Sequence, residues 1–182
     1  MSATNRGAVR NAQDFYPTPT WLTEAIIPFL GRCHPQRILE PAAGDGAIVD
    51  VLRAAFPVAI DHGDITTGQD FLTTPTRYQA PYDLIITNPP CRLAREFISR
   101  ALELRRTDRS VVAMLLRLNY LEGQERAPWM RAHMPSVYVT PRRPRFTGAG
   151  TDATAYAWFI WDGEPTTLVI LETEQPRTSK SY

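Results

Sequence analysis

Leu39-Glu40-Pro41-Ala42-Ala43-Gly44-Asp45-Gly46 decides the fold. Before it, Arg37 to Leu39 reads as a short strand; after it, Ile48, Val51, Leu52 and Ala55 recur at helical spacing until Pro57 stops them. An acid at the end of a strand, then small residues and two glycines, lets a ligand approach the backbone at a helix start. Such a turn also serves ordinary strand-to-helix connections, so the flanking segments have to extend the reading.

Those segments alternate. Upstream, Thr18-Pro19 reads as an N-cap followed by proline in the first turn, with Leu22, Ala25, Ile26, Phe29 and Leu30 on one helical face as far as Gly31. Downstream, Val58 to Asp61 and Gln69 to Leu72 read as short strands, and Tyr82 to Thr87 as a longer one ending at Asn88-Pro89-Pro90. Leu93 to Arg105 repeats at helical period, and Ser110 to Leu118 is an unbroken apolar strand, the mark of burial on both faces. Leu121 to His133 predicts a helix interrupted near Pro128. Ser136 to Thr140 and Ala155 to Trp161 predict a closing pair of strands, and Thr166 to Leu171 a last one. The pattern is α/β: a doubly wound, mostly parallel sheet with an antiparallel closing hairpin. Ligands of such sheets lie beyond the carboxyl ends of the strands, here after Leu39 and after Thr87.

Composition removes other classes. The chain has 182 residues, 43% hydrophobic and 21% charged, which suits one folded domain rather than a disordered chain. That domain is expected over 14–172, with a flexible arm at 1–13, a polar tail at 173–182 and no appended recognition domain. No apolar run approaches the ~20 residues of a membrane span, and Met1 to Gln13 lacks a signal-peptide core. Cys33 and Cys91 make no disulfide framework, and His34, His62 and His133 share no ligand spacing, so no metal is expected. A cytoplasmic protein is the expectation.

The net charge of +1 conceals an asymmetry. Residues 92–145 hold 12 Arg against 5 acids, while the segments on either side are each acidic by three. Within the stretch Pro141 to Thr154, Arg142, Arg143 and Arg145 stand beside Phe146, a mixture that suits phosphate contacts and a ring beside a base, although charge runs also serve as plain solvated surface. Arg92, Arg95 and Arg100 extend the same face. A nucleic-acid partner is one reading; a GC-rich coding sequence is the other.

Asp83-Leu84-Ile85-Ile86-Thr87-Asn88-Pro89-Pro90-Cys91 carries the second constellation. Four strand formers push an amide to the strand end, and two prolines stiffen the chain beyond it. A carboxamide oxygen and a neighbouring backbone carbonyl can together accept both protons of an exocyclic amino group.

Asp-Phe-Tyr-Pro-Thr-Pro (14–19), the Leu39–Gly46 turn, Gln-Asp-Phe-Leu (69–72) and Thr-Asn-Pro-Pro (87–90) occur in that order. Together they resemble the successive motifs of S-adenosylmethionine-dependent DNA amino-methyltransferases, specifically the small phage-type N6-adenine enzymes, over roughly residues 14–162. The resemblance implies a Rossmann-like class I methyltransferase fold, S-adenosyl-L-methionine as cofactor and DNA as partner, single- or double-stranded, for a monomer or homodimer in a bacterial or phage-infected cytoplasm. Tyr16, Thr18 and Pro19 would line the methionine end of the cofactor. Glu40 would face its ammonium, above a wall of Pro41, Ala42 and Gly44. Asp64, or Asp61 if the strand ends earlier, would hold the ribose, and Asp70 with Phe71 the adenine. Asn88, Pro89, Pro90 and Cys91 would form the catalytic strand end, with Asn88 also touching the cofactor, and Arg142, Arg143, Arg145 and Phe146 the nucleic-acid contact.

Cys91 departs from the pattern, which places an aromatic there to stack on the target base. Tyr120 and Phe146 are the candidate substitutes. Pro90-Cys91 also resembles the nucleophile of carbon-5 cytosine methyltransferases, but Asn88 before the prolines does not belong to that pattern. The same fold also serves enzymes acting on RNA, protein glutamine or cytosine, and a binding relic without activity.

Overall fold

A computed structural model describes residues 17–30, 34–74, 78–79, 81–146 and 154–173. Tyr16, Gly31 and the expected arm at 1–13 lie outside them, as does the tail beyond 173. The elements run α1 (Thr20–Leu30), β1 (Arg37–Glu40), α2 (Ala47–Ala55), β2 (Ala59–His62), β3 (Leu84–Thr87), α3 (Ala94–Glu103), β4 (Val111–Arg117), α4 (Ala127–Ala132), β5 (Ser136–Val139), β6 (Tyr156–Trp161) and β7 (Leu168–Ile170). They form one sheet in the order β2-β1-β3-β4-β6-β5-β7. The first four strands are parallel, β6 is antiparallel to both its neighbours, and β7 runs parallel to β5.

Because side chains alternate across a strand, each buried strand serves two cores. Ile38, Leu84, Ile86, Ala113, Leu115 and Trp158 pack with Leu22, Ile26 and Leu52 of α1 and α2 on one face. Leu39, Ile85, Val112, Met114, Leu116 and Phe159 pack with Phe97, Ile98 and Met130 of α3 and α4 on the other. The doubly wound reading holds on both faces.

Two local expectations are corrected. Gln69 to Leu72 is a turn, not a strand, because Asp70 closes it: its Oδ1 accepts from the Leu72 N–H at 2.9 Å and its carbonyl from the Thr74 N–H at 2.9 Å. Such side-chain bonds compete with strand pairing. The expected helix from Leu121 to His133 reduces to a 3-10 turn over Leu118–Leu121 and the short α4. Gly123, at φ +126°, breaks the path between them, and Pro128 sits in the first turn of α4, where a missing N–H costs nothing. The expected antiparallel closing hairpin is present as β5 against β6, with β7 beyond it. Tyr156–Trp161 is buried along its whole length and lies between β4 and β5, while β7, with Leu168 72% and Ile170 62% exposed, takes the edge. An apolar strand without a polar face needs cover on both sides, and only the interior provides it.

Trp158 and Trp161 are core residues. Their indole N–H groups donate to the Leu22 and His133 carbonyls, each at 2.8 Å.

Candidate active site

The chain leaves β1 for β2 on one side and then returns to place β3 on the other side of β1. Connections therefore diverge at the carboxyl ends of β1 and β3, which opens the crevice where doubly wound sheets bind ligands. A pocket occupies that crevice. It gathers Thr18, the turn from Pro41 to Asp45, Asp64, Asp70 with Phe71, and Asn88 through Cys91. These are the separate sequence motifs, brought to one wall.

Glu40, at the end of β1, is fully buried. Its Oε1 accepts from the Thr87 hydroxyl at 2.6 Å and from the Ala42 N–H at 3.0 Å, which ties the ends of β1 and β3 together. Its Oε2 is buried with no hydrogen-bond partner. Burial pushes its pKa up to about 8 from an ordinary 4.5, against the opposing effect of the two bonds. A buried carboxylate oxygen without a donor is costly and is completed by a cationic donor. Pro41, Ala42 and Gly44 line the pocket, and Glu40 itself is not part of its wall. Gly46 has φ +89°, and a Cβ there would meet nothing within 4 Å, so backbone conformation rather than room requires glycine at this position.

The structure separates the two ribose candidates. Asp61 accepts from the Arg37 guanidinium at 2.7 Å and from the Tyr82 hydroxyl at 2.8 Å, and it lines a neighbouring cleft rather than this pocket. Asp64 lines the pocket itself. Its Oδ2 accepts from the Gly44 N–H at 2.9 Å and its Oδ1 from the Thr66 N–H at 2.8 Å. Although desolvation pulls the other way, these hydrogen bonds hold its pKa below the usual carboxylate value. Asp70 lines the pocket with its Oδ2 accepting from the Thr73 hydroxyl at 2.8 Å. Phe71 beside it is buried, its ring tilted against Phe97 at 5.0 Å.

Asn88 leaves the end of β3 half-buried, and its Nδ2 donates to the Thr18 hydroxyl at 3.1 Å. Among the described residues its Oδ1 accepts no hydrogen bond. Thr18 does not act as the expected helix cap; α1 starts on the Pro19 carbonyl, which accepts from the Leu22 N–H at 3.0 Å, and Pro19 is not part of the pocket wall. The Pro90 carbonyl is committed to the Leu93 N–H at 2.9 Å, which leaves Pro89, buried beside Asn88, as the proline better placed to offer a carbonyl. Cys91 is exposed and opens the 3-10 turn Cys91–Leu93.

Of the two substitute aromatics, Phe146 lines the pocket, edge-on to Tyr156 at 4.9 Å. Tyr120 is 8% exposed, with the Arg126 guanidinium 4.5 Å over its ring, and lines an adjoining cleft that shares Cys91 and Arg117 with the pocket. Arg142, Arg143 and Arg145 are exposed and outside the pocket wall; Arg142 stacks 4.2 Å over Trp21 of α1. Arg117 was not singled out from the sequence. It ends β4, lines the pocket, and donates from Nε to the Tyr156 hydroxyl at 3.2 Å. Its one signal is a cation closing an otherwise apolar run, Val111 to Leu116.

No protein-family model matches the sequence, and no curated protein matches it. Solved structures do match in shape. A class I S-adenosylmethionine-dependent methyltransferase described as putative, from Listeria monocytogenes, aligns over 96% of this chain and 64% of its own, with TM-score 0.61 and 13% identity. The fold is that of a class I methyltransferase. A type I restriction-modification methyltransferase subunit from Streptococcus thermophilus aligns over 83% of this chain and 45% of its own, with TM-score 0.61 and 17% identity. The EcoKI type I restriction enzyme M protein aligns over 86% of this chain and 45% of its own, with TM-score 0.54 and 15% identity. The chain thus spans about half to two thirds of the length of these methyltransferases. Among the described residues, no helix is long and apolar enough to cross a membrane, and no cluster of three or more potential metal ligands occurs.

Proposed function

We propose that the chain transfers a methyl group from S-adenosyl-L-methionine to the exocyclic amino nitrogen of adenine in DNA. One observation carries this reading: the acid-bearing turn after β1 and the amide at the end of β3 share one pocket, the amide oxygen without a protein donor among the described residues.

The residues fit the cofactor. Behind the wall of Pro41 and Ala42, Glu40 offers a buried, unpartnered carboxyl oxygen to an ammonium, while in the pocket Asp64 offers a carboxylate to vicinal hydroxyls, and Asp70 with Phe71 an acceptor and an apolar face to a purine. When bound, the cofactor supplies a methyl group already activated on a sulfonium. The protein's task is position and electrostatics rather than acid–base exchange. An adenine amino group is a poor nucleophile because its lone pair is delocalised into the ring. Asn88 Oδ1 and the Pro89 carbonyl accept its two protons, favouring the pyramidal nitrogen and the positive charge that develops there. The base reaches them only outside the stack, which requires flipping in a duplex and nothing comparable in a single strand. Phe146 supplies the ring surface that Cys91 lacks, and Arg143 and Arg145 meet the flanking phosphates.

Labelled cofactor, DNA and the purified chain, followed by nucleoside analysis, test the proposal. N6-methyladenine is the expected product. Label in 5-methylcytosine, in N4-methylcytosine, in RNA alone or in a protein glutamine would overturn it, as would no transfer at all.

A further inference from the structure

Asn88 has two faces, one that accepts and one that donates, and a half-turn of its amide exchanges them. With Oδ1 toward the target amino group the site accepts its protons; with Nδ2 there, two donors face each other and transfer stops. Backbone does not decide between these states. β3 is buried and the prolines after it stiffen the chain, so the position of Asn88 is set, while the orientation of its amide is left to its hydrogen bonds.

Thr18 is the residue that holds the amide. It is 7% exposed and lies 70 residues away in sequence, yet its hydroxyl receives the Nδ2 proton at 3.1 Å. Its own position is firm, because α1 begins on the neighbouring Pro19 carbonyl and is pinned to the sheet through the Leu22 carbonyl and the Trp158 indole. A hydroxyl carries one proton and two acceptor sites. If it donates to Asn88, the amide turns its oxygen to Thr18 and its nitrogen to the pocket. If its proton goes elsewhere, it can only accept, and Oδ1 is left for the target. Among the described residues the Thr18 hydroxyl has no protein acceptor for that proton, and both residues line the pocket.

We propose that Thr18 is a positioning residue that couples the two ligands: an acceptor group of the cofactor takes the Thr18 proton, and this locks the Asn88 amide with its oxygen toward the target base. The inference rests on the methyltransferase reading. Its consequence is an ordered site. The amide already stands with its Nδ2 on Thr18; filling the cofactor side holds it in that orientation, and the target base is then gripped more tightly.

Binding tests this without turnover. S-adenosylhomocysteine is the probe for the cofactor side, and an oligonucleotide carrying a site that the wild-type chain methylates, or calf-thymus DNA if none is found, is the probe for the other. In the wild-type chain S-adenosylhomocysteine should tighten DNA binding at least about fivefold, the lower end of ordinary coupling between two sites. Thr18→Val, which keeps shape and removes the hydroxyl, should abolish that coupling and lower the single-turnover rate at saturating cofactor. Thr18→Ser should restore both. Thr18→Ala serves the same purpose if thermal melting shows that the valine variant does not fold. Coupling that persists in the hydroxyl-less variants would overturn the inference. So would a serine variant as impaired as valine, since the role would then be packing by the methyl group. Absence of coupling in the wild-type chain overturns it too, while the nucleoside analysis decides separately whether the methyltransferase reading stands.

Discussion

On the side of the pocket built by β1 and β2, the acids are already held by protein donors, some of them from other segments. Asp64 holds the Gly44 and Thr66 N–H groups, Asp70 holds Leu72 and Thr73, and Glu40 holds Ala42 and Thr87. On the side built by β3, β4 and residues 141–146, Asn88 and Phe146 are half-buried, and beyond them the outer groups Cys91, Arg143 and Arg145 are exposed. The first side is arranged before any ligand arrives and loses little entropy on binding. The second ends in a rim of exposed arginines. Such a division suits a small, invariant ligand on one side and a long polyanion on the other.

The largest expected effect lies where the two sides meet. Asn88→Ala should lower the single-turnover rate of adenine methylation about 100-fold or more, the scale of losing one preorganised polar contact at a reacting atom. Calorimetric affinity for S-adenosylhomocysteine should stay close to wild type. A cofactor affinity that falls together with the rate would place Asn88 on the cofactor side and dissolve the division.

Glu40 probes the preorganised side. Loss of a charge-assisted hydrogen bond in Glu40→Gln should weaken S-adenosylhomocysteine roughly 10- to 100-fold, as a contact of about 1.5–3 kcal/mol does. Because its pKa is raised from 4.5 to about 8 in the folded chain, the folded state holds a proton that the unfolded state has released across that window. The contribution to stability is therefore fully present below pH 4.5 and is lost as pH rises through about 8. Chemical denaturation without cofactor should show this decline in the wild-type chain and a flatter profile in the glutamine variant. Binding of an ammonium should likewise expel the proton, so the calorimetric enthalpy should change with the ionisation heat of the buffer. Identical enthalpies in phosphate and Tris would show that Glu40 is not the group that titrates.

On the basic rim, neutralising Arg142, Arg143 and Arg145 together should lower DNA affinity and flatten its dependence on salt. Since Arg142 is stacked on Trp21, the slope should fall by about 2 rather than 3, at roughly 0.9 per phosphate contact in duplex DNA. Cofactor affinity should not move. An unchanged slope would remove this rim from the DNA.

Cys91 should matter least. Cys91→Ser should retain most activity, and Cys91→Tyr should retain or raise it by adding ring surface beside Phe146. Loss of activity in the serine variant, with 5-methylcytosine as the wild-type product, would make Cys91 a nucleophile and reverse the ranking.

Much of the site was legible because chemistry and local structure coincide in it. The acid-and-glycine turn at 39–46 and the amide-proline end at 87–90 each mark a strand end by their own residue types. Arg117 was not legible, since a single arginine after an apolar strand means nothing until β6 brings Tyr156 against it. Gln69 to Leu72 misled for the opposite reason. Its alternation of polar and apolar residues suits a strand, but Asp70 commits its side chain to closing a turn.

Residue order was enough to set the alternation of strands and helices, the two-faced burial of Val111 to Leu116 within the longer run expected from Ser110 to Leu118, and the strand ends that meet in the pocket, because periodicity and turn chemistry are local. Only the folded chain shows that β6 enters the sheet interior, that Asp64 rather than Asp61 reaches the pocket, and that Thr18 meets Asn88. Each of those depends on contacts between residues far apart in the chain. Asp61 and Asp64 are equivalent on paper, and it is Arg37 and Tyr82, from two other segments, that take one of them out of the site.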